Sequence, residues 1–562
     1  MRRRLLFTAL SLAGAAQGHA VCFVNGTAAG ANTGTTWSDA YQDLNSALTD
    51  SHCGSIWVAR GVYTPTKGSD RKATFRLLPG QSVYGGFAGS EDALDERNLT
   101  TNVSVLSGDI DQNDANVATT QIDSTPADIS GSNAYNVVTI DGASGAPVNG
   151  VTVLDGFTIT GGDTGAPYFF TPGGGGLICS GAGSGQACSP TLSNLTFLGN
   201  RATKGQGGAV LLDGSYGGES SPVLSRVSFE GNEASEGAGV YGNAKYSGRV
   251  APTISNATFE GNIADGDGGG IATTSYYSGT VSITIASATF HSNVAQNSGG
   301  AISVSSQNYG TSTLDLSDAV FSSNSTKSTI LGDGGAISVG AYDGNDTVAI
   351  SRTSFIENYS LAGGAVSCGG QNLSVCTLRA SNSTFANNTA QTGGALFMFA
   401  ETYSSSDVQL NNVTFSGNIA VAGASWPGSG GAISAVGSPL TWKLQIGNSI
   451  FWNDVGSVDN EVSIDNVDAT IQSSVVAGGC PAGVTCASTT DKDPLLEPLG
   501  YHWGYTPVMR PGLLGSAIDA GDDATCELTD QRNFARPMGA HCDIGAVEMR
   551  LPSDDFSYPG GF

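Results

Sequence analysis

One unit recurs through the middle of this 562-residue chain, and it restricts the fold more than any other feature. An apolar segment ends in Phe, an Asn follows three residues later, and a Gly-Gly-Ala-aliphatic turn comes next, loosened to Gly-Ala-Gly-Val and Gly-Gly-Gly-Ile in two copies. The aromatic positions are Phe197, Phe229, Phe259, Phe290, Phe321, Phe355, Phe385 and Phe415. The amide positions are Asn200, Asn232, Asn262, Asn293, Asn324, Asn358, Asn388 and Asn418. The turns end at Val210, Val240, Ile271, Ile302, Ile337, Val366, Leu396 and Ile433, and Phe451 opens a degenerate ninth copy. Phe-to-Phe spacings are 32, 30, 31, 31, 34, 30, 30 and 36.

Upstream of each Phe the chain alternates apolar and polar, as in Thr313-Leu314-Asp315-Leu316, which predicts strands with one buried face. A repeat of this size with two or three short strands cannot close a core alone. It buries its apolar face only by stacking on its neighbours. Parallel stacking, at roughly 4.8 Å per rung, sets each Phe above the last and each Asn beside the next. The expected fold is therefore all-β, a parallel β-helix. Stacking also explains a chain with 80 Gly and 13% charged residues that is still 39% hydrophobic.

The insertions fall unevenly. From a turn's aliphatic residue to the next Phe the gaps are 18 or 19, whereas from Phe to the following turn they run from 11 to 18. Such insertions gather on one side of a solenoid, and the longest holds Trp426. That edge is the expected binding side, with Trp426 as ligand anchor or, in the structural alternative, a plug between rungs.

With 23 basic and 49 acidic residues, the net charge of −26 disfavours nucleic acid and anionic lipid. Arg2–Arg4, the apolar Leu5–Ala16 and Gly18-His19-Ala20 read as a Sec-type export signal cleaved after Ala20. Cys22 raises a lipoprotein alternative, although His19-Ala20-Val21 fits a lipobox poorly. No other segment approaches a membrane span. Ten cysteines in an exported chain imply disulfides, and they fall into neighbours: Cys22/Cys53, Cys179/Cys188, Cys368/Cys376, Cys480/Cys486 and Cys526/Cys542.

Over roughly residues 150–455 the alternating FxxN and GGA[ILV] motifs resemble the repeats of the polymorphic outer membrane proteins. That resemblance implies a right-handed, pectate-lyase-like β-helix on a bacterial surface, although no barrel-sized segment follows here. DPLLEPLG (493–500), GSAIDAGD (515–522), TDQRNFARP (529–537) and CDIGAVE (542–548) are similar to the C-terminal signature of choice-of-anchor Q proteins. The opening 24–48 looks like their N-terminal part, with a short helix over Ala40–Leu48 plugging the first rung before Ile56-Trp57-Val58. The implied division is 1–20 signal, 21–135 cap and first rungs, 136–478 repeats, 479–550 C-terminal cap and 551–562 tail. The tail has no anchor motif, which implies free secretion or an unfamiliar anchor.

A lyase on such a scaffold needs clustered Asp and a basic residue, and a glycosidase needs paired carboxylates. Lys and Arg are sparse in the repeats, the His are isolated, and no catalytic motif stands out. Asp265 and Asp267 read as turn residues, and Asp530, Arg532 and Arg536 as structural. The metal candidate is a calcium loop at Asp109, Asp111 and Asn113, set against a plain polar turn; Asp343, Asn345 and Asp346 form a weaker version. Two functions remain: a non-catalytic, adhesin-like protein that binds an extracellular glycan or protein, or a polysaccharide lyase or glycosidase. A groove with three or more carboxylates plus a Lys or Arg would favour the enzyme, and a Ser/Thr/Asn-lined face the binder.

Overall fold

The computed structural model describes residues 20–115, 122–165, 173–329, 332–400, 403–423, 427–437 and 442–549. Among these residues the strands form sheets of 24, 12, 5 and 3, and every paired strand runs parallel to its neighbours. The largest sheet carries the Phe strands, and the 12-stranded sheet follows the Gly-Gly turns. Registers advance by one repeat per rung: Phe197 pairs Phe229, Phe229 pairs Phe259, and Ile271 pairs Ile302. This is a parallel β-helix, as the repeat predicts.

Two ladders run inside it. The Phe rings stack from Phe197 to Phe451, with centroids 4.5–5.2 Å apart along the series and planes within 3–14°. Beside them, each Asn from Asn232 to Asn388 donates Nδ2 to the Oδ1 of the next Asn and to the carbonyl of the Phe one rung back. Asn293 bonds Asn324 at 3.0 Å and Phe259 at 2.9 Å. The backbone N–H of each Asn also reaches the next Oδ1, so buried amides satisfy one another along the axis. The ladder ends on an acid: Asp454 Oδ1 accepts both the N–H and the Nδ2 of Asn418 at 2.7 Å. Burial and the neighbouring Glu461 shape that end. Burial, and for Glu461 also the charge of Asp454, push both carboxyls up.

The corner after the ladder needs glycine. Gly299 has φ +65°, where a Cβ would lie 2.2 Å from the Ile302 carbonyl; at Gly300 it would lie 2.2 Å from the Gly335 carbonyl on the next rung.

At the N-terminus the helix is shorter than expected. It covers Leu44–Thr49, because Asp43 caps it by accepting the Asn45 N–H, and it buries Leu44, Ala47 and Leu48. Stacking also begins earlier. Ala20–Val24 is already a strand paired with Cys53–Ala59, and the Cys22–Cys53 disulfide ties the two. The other disulfides are Cys179–Cys188, Cys368–Cys376, Cys480–Cys486 and Cys526–Cys542. Two of these lie in the core, joining the two main sheets within a rung.

The C-terminal region departs from a simple end cap. Residues 506–547 run back along the outer face of the largest sheet. Ser354 donates to the Pro507 carbonyl, Thr384 to Gln531, and the Ala546 N–H donates to Thr414. Ile544 and Ala517 cover Ile450 and Val475. The segment is a strap across several rungs, fastened by Gln531, which donates to Ser354 and Thr506. Arg532 pairs with Asp530, and the buried Arg536 pairs with Glu548 while donating to the Asp543 and Gly545 carbonyls. Residues 1–19 and 550–562, with the expected signal and tail, lie outside the described residues.

Candidate functional site

The strap lies over later rungs of the largest sheet, and the outer face of the 12-stranded sheet carries a groove. Alternation builds it. Along Ile302–Gln307, Ile302 and Val304 point into the core, and Ser303 and Ser305 point out. The parallel register then sets Ser303, Ser338 and Ser367 in one column and Ser305, Gly340 and Gly369 in the next. These small residues floor a shallow groove.

One wall comes from the residue before each Gly-Gly turn, where Asp267, Ser298 and Asp333 stack. Phe399 closes the far end by lying over Gly369, where a Cβ would meet its ring at 2.0 Å. Asp267 Oδ1 accepts the Ser298 N–H at 3.0 Å, which is the backbone role its turn position suggests. It is also pushed up to about 6, first by burial and then by the charge of Glu236. Asp333 rises to about 6 through burial and the charge of Asp267. The periodic Glu236, Asp267 and Asp333 ahead of the turns were visible as spacing, but only the fold turns them into a wall.

The groove offers hydroxyls and two carboxylates, and among the described residues it is lined by no Lys, Arg or His. Both carboxylates stand on the same wall, one rung apart from adjacency, with Ser298 between them. A glycosidase needs its acid and its nucleophile or base to flank the scissile bond, and a lyase needs a base with a cation. This arrangement presents hydroxyls and carboxylate acceptors in line along one wall.

The other sequence-derived candidates fare differently. Trp426 lies outside the described residues. In the loop at 109–113, Asp109 turns inward and accepts the Asn113 and Asp114 N–H groups, Asp111 accepts from Ser132, and Asn113 is exposed. Among the described residues no group of three or more His, Cys, Asp or Glu converges to hold a metal ion. Asp343, Asn345 and Asp346 are split by the fold. Asp343 sits in a turn at φ +53° and Asn345 is exposed, while Asp346 points into the core, where burial pushes it to about 8.

The family model of the Chlamydia polymorphic membrane protein repeat matches residues 256–274 and 412–436. No curated protein sequence matches. Among solved structures, a crystal structure of pectate lyase Pel9A is similar at 12% identity, over 94% of this chain and 96% of that one, with a TM-score of 0.36. The matched repeats, the parallel β-helix and the disulfides support a surface or secreted β-helix protein. Among the described residues no helix is long and apolar enough to cross a membrane.

Proposed function

We propose that this chain is a non-catalytic, adhesin-like binding protein, exported to the cell surface, that holds an extended extracellular ligand on the outer face of its 12-stranded sheet. The observation that carries this reading is the groove's lining: a serine floor, carboxylates on one wall only, and no basic residue. A stacked-strand surface repeats the same hydroxyl at each rung, which suits a ligand that itself repeats.

Ser338→Trp tests the reading. Ser338 points outward from the floor, so an indole there fills the groove without entering the core. On an array of extracellular glycans and matrix proteins, the wild-type chain retains a ligand and Ser338→Trp loses at least tenfold in affinity, with unchanged thermal unfolding. Equal binding by the two would refute the groove.

A further inference from the structure

The groove on the 12-stranded sheet holds polar groups that the fold itself leaves unused. Ser303, Ser338 and Ser367 are 6%, 7% and 1% exposed, and all three line the groove. None of their hydroxyls bonds to another group among the described residues, although a hydroxyl taken this far from water normally finds a partner. The wall beside them is in the same condition. Asp267 accepts only the Ser298 N–H, and Asp333 accepts no hydrogen bond among the described residues. Burial and the charge of Asp267 both push the Asp333 carboxyl up, and no neighbouring cation pulls it down. Elsewhere the chain pairs its partly buried acids with arginine: Asp163 with Arg71 and Arg201 at 3.0 Å, and Asp318 with Arg352 at 2.7 Å. Keeping a carboxylate half out of water without a counter-charge costs stability, so the positive partner of this wall comes from outside the chain.

Geometry limits what that partner is. Asp267 and Asp333 stand two rungs apart with Ser298 between them, roughly 9–10 Å along the axis at strand spacing. One metal ion, with oxygen ligands at about 2.3–2.6 Å, cannot take both. The occupant therefore brings at least two positive charges spaced along a chain. A peptide strand fits poorly, because the floor strands Ile302–Gln307, Ile337–Tyr342 and Val366–Gln371 are each paired on both sides and leave no backbone edge to extend. What stays open is a row of hydroxyls, which both donate and accept and so match a ligand rich in hydroxyls.

We infer that the groove binds an amino-sugar polymer, a polysaccharide with free ammonium groups, lying along the axis with ammonium groups on Asp267 and Asp333 and sugar hydroxyls on the serine floor. The inference rests on the reading of this groove as the binding surface and adds the charge class of its ligand.

Isothermal titration of the full chain at pH 6.5 and low salt compares a glucosamine hexamer with the N-acetylglucosamine hexamer, which has the same backbone and no charge. The wild type binds the glucosamine hexamer at least tenfold more tightly. Asp333→Asn keeps the shape, removes the unpaired carboxylate, and loses at least tenfold in that affinity while its melting temperature holds or rises. Asp491→Asn removes one exposed charge that does not line the groove and stays within about twofold, which separates the site from the general attraction of a chain with a net charge of −26. A lysine hexamer binds at least tenfold more weakly than the glucosamine hexamer. Equal affinity for the two sugars, unchanged binding by Asp333→Asn, equal losses in Asp333→Asn and Asp491→Asn, or tighter binding of the lysine hexamer each overturns the inference. Ser338→Trp distinguishes this failure from that of the groove. If Ser338→Trp loses the ligand found on the array and the glucosamine hexamer does not bind the wild type, the groove stands and the amino-sugar inference falls. If Ser338→Trp retains every ligand, both fall.

Discussion

Removing one amide from the interior ladder should destabilise the protein far more than its size suggests. In Asn293→Ala, the lost Oδ1 leaves the Asn262 N–H without its acceptor and takes away one of the two bonds made by Asn262 Nδ2. The lost Nδ2 leaves the Phe259 carbonyl without its side-chain donor, while Asn324 Oδ1 keeps the N–H of residue 293. Asn293 is fully buried, so the stranded groups have no access to bulk water. Unsatisfied buried groups cost about 1–3 kcal/mol each, which gives roughly 3–6 kcal/mol for the substitution. Asn293→Asp keeps an acceptor but aims a carboxylate at two other oxygens. It should cost at least as much at pH 7 and recover in part as the pH falls and the carboxyl protonates. Urea unfolding gives the change in midpoint at constant slope, and hydrogen exchange at 262 and 324 reports the local opening. A loss under about 1 kcal/mol for Asn293→Ala, with protection at 262 intact, would refute the ladder as a structural element.

Phe290, fully buried between Phe259 at 4.5 Å and Phe321 at 4.6 Å, should cost about 3–5 kcal/mol when changed to Ala, whereas the outward Ser305→Ala should move the urea midpoint by less than about 0.5 kcal/mol. Equal effects would mean the register is wrong. Asp346 supplies a pH dependence. Its folded pKa is raised to about 8, so the native state binds a proton that the unfolded chain releases, and the associated stability is full at low pH and is lost as pH rises toward 8. Between about pH 4 and 8 the slope from this one group approaches 1.4 kcal/mol per pH unit, so thermal melts of Asp346→Asn should fall less steeply from pH 5 to pH 8 than those of the wild type. Parallel curves would show that Asp346 is not a buried acid.

The ladders were legible in the sequence because stacking forces the same side chain onto the same position of each rung, so period and burial carry one signal. The neighbour pairing of Cys22/Cys53, Cys179/Cys188 and Cys368/Cys376 follows the stacking, because each joins strands of one rung or of adjacent rungs. The strap was not, because its bonds join residues far apart: Gln531 reaches Ser354 across 177 positions, with no repeat to announce it. Asp346 looked like a loop ligand because its neighbours are polar; only the register, which pairs it with the buried Ser312, turns it inward. Length variation marks where a solenoid tolerates change, and the longest insertion, which holds Trp426, lies outside the described residues.

The account turns on binding without cleavage. Its most direct measurement is the size distribution, by light scattering, of any extracellular polysaccharide that the protein binds, before and after prolonged incubation with the full-length protein at concentrations that saturate binding. The account predicts bound polymer of unchanged chain length from pH 5 to pH 8. Shortened chains that return to full length when Asp267→Asn or Asp333→Asn is introduced would contradict it, and would make the carboxylate wall catalytic.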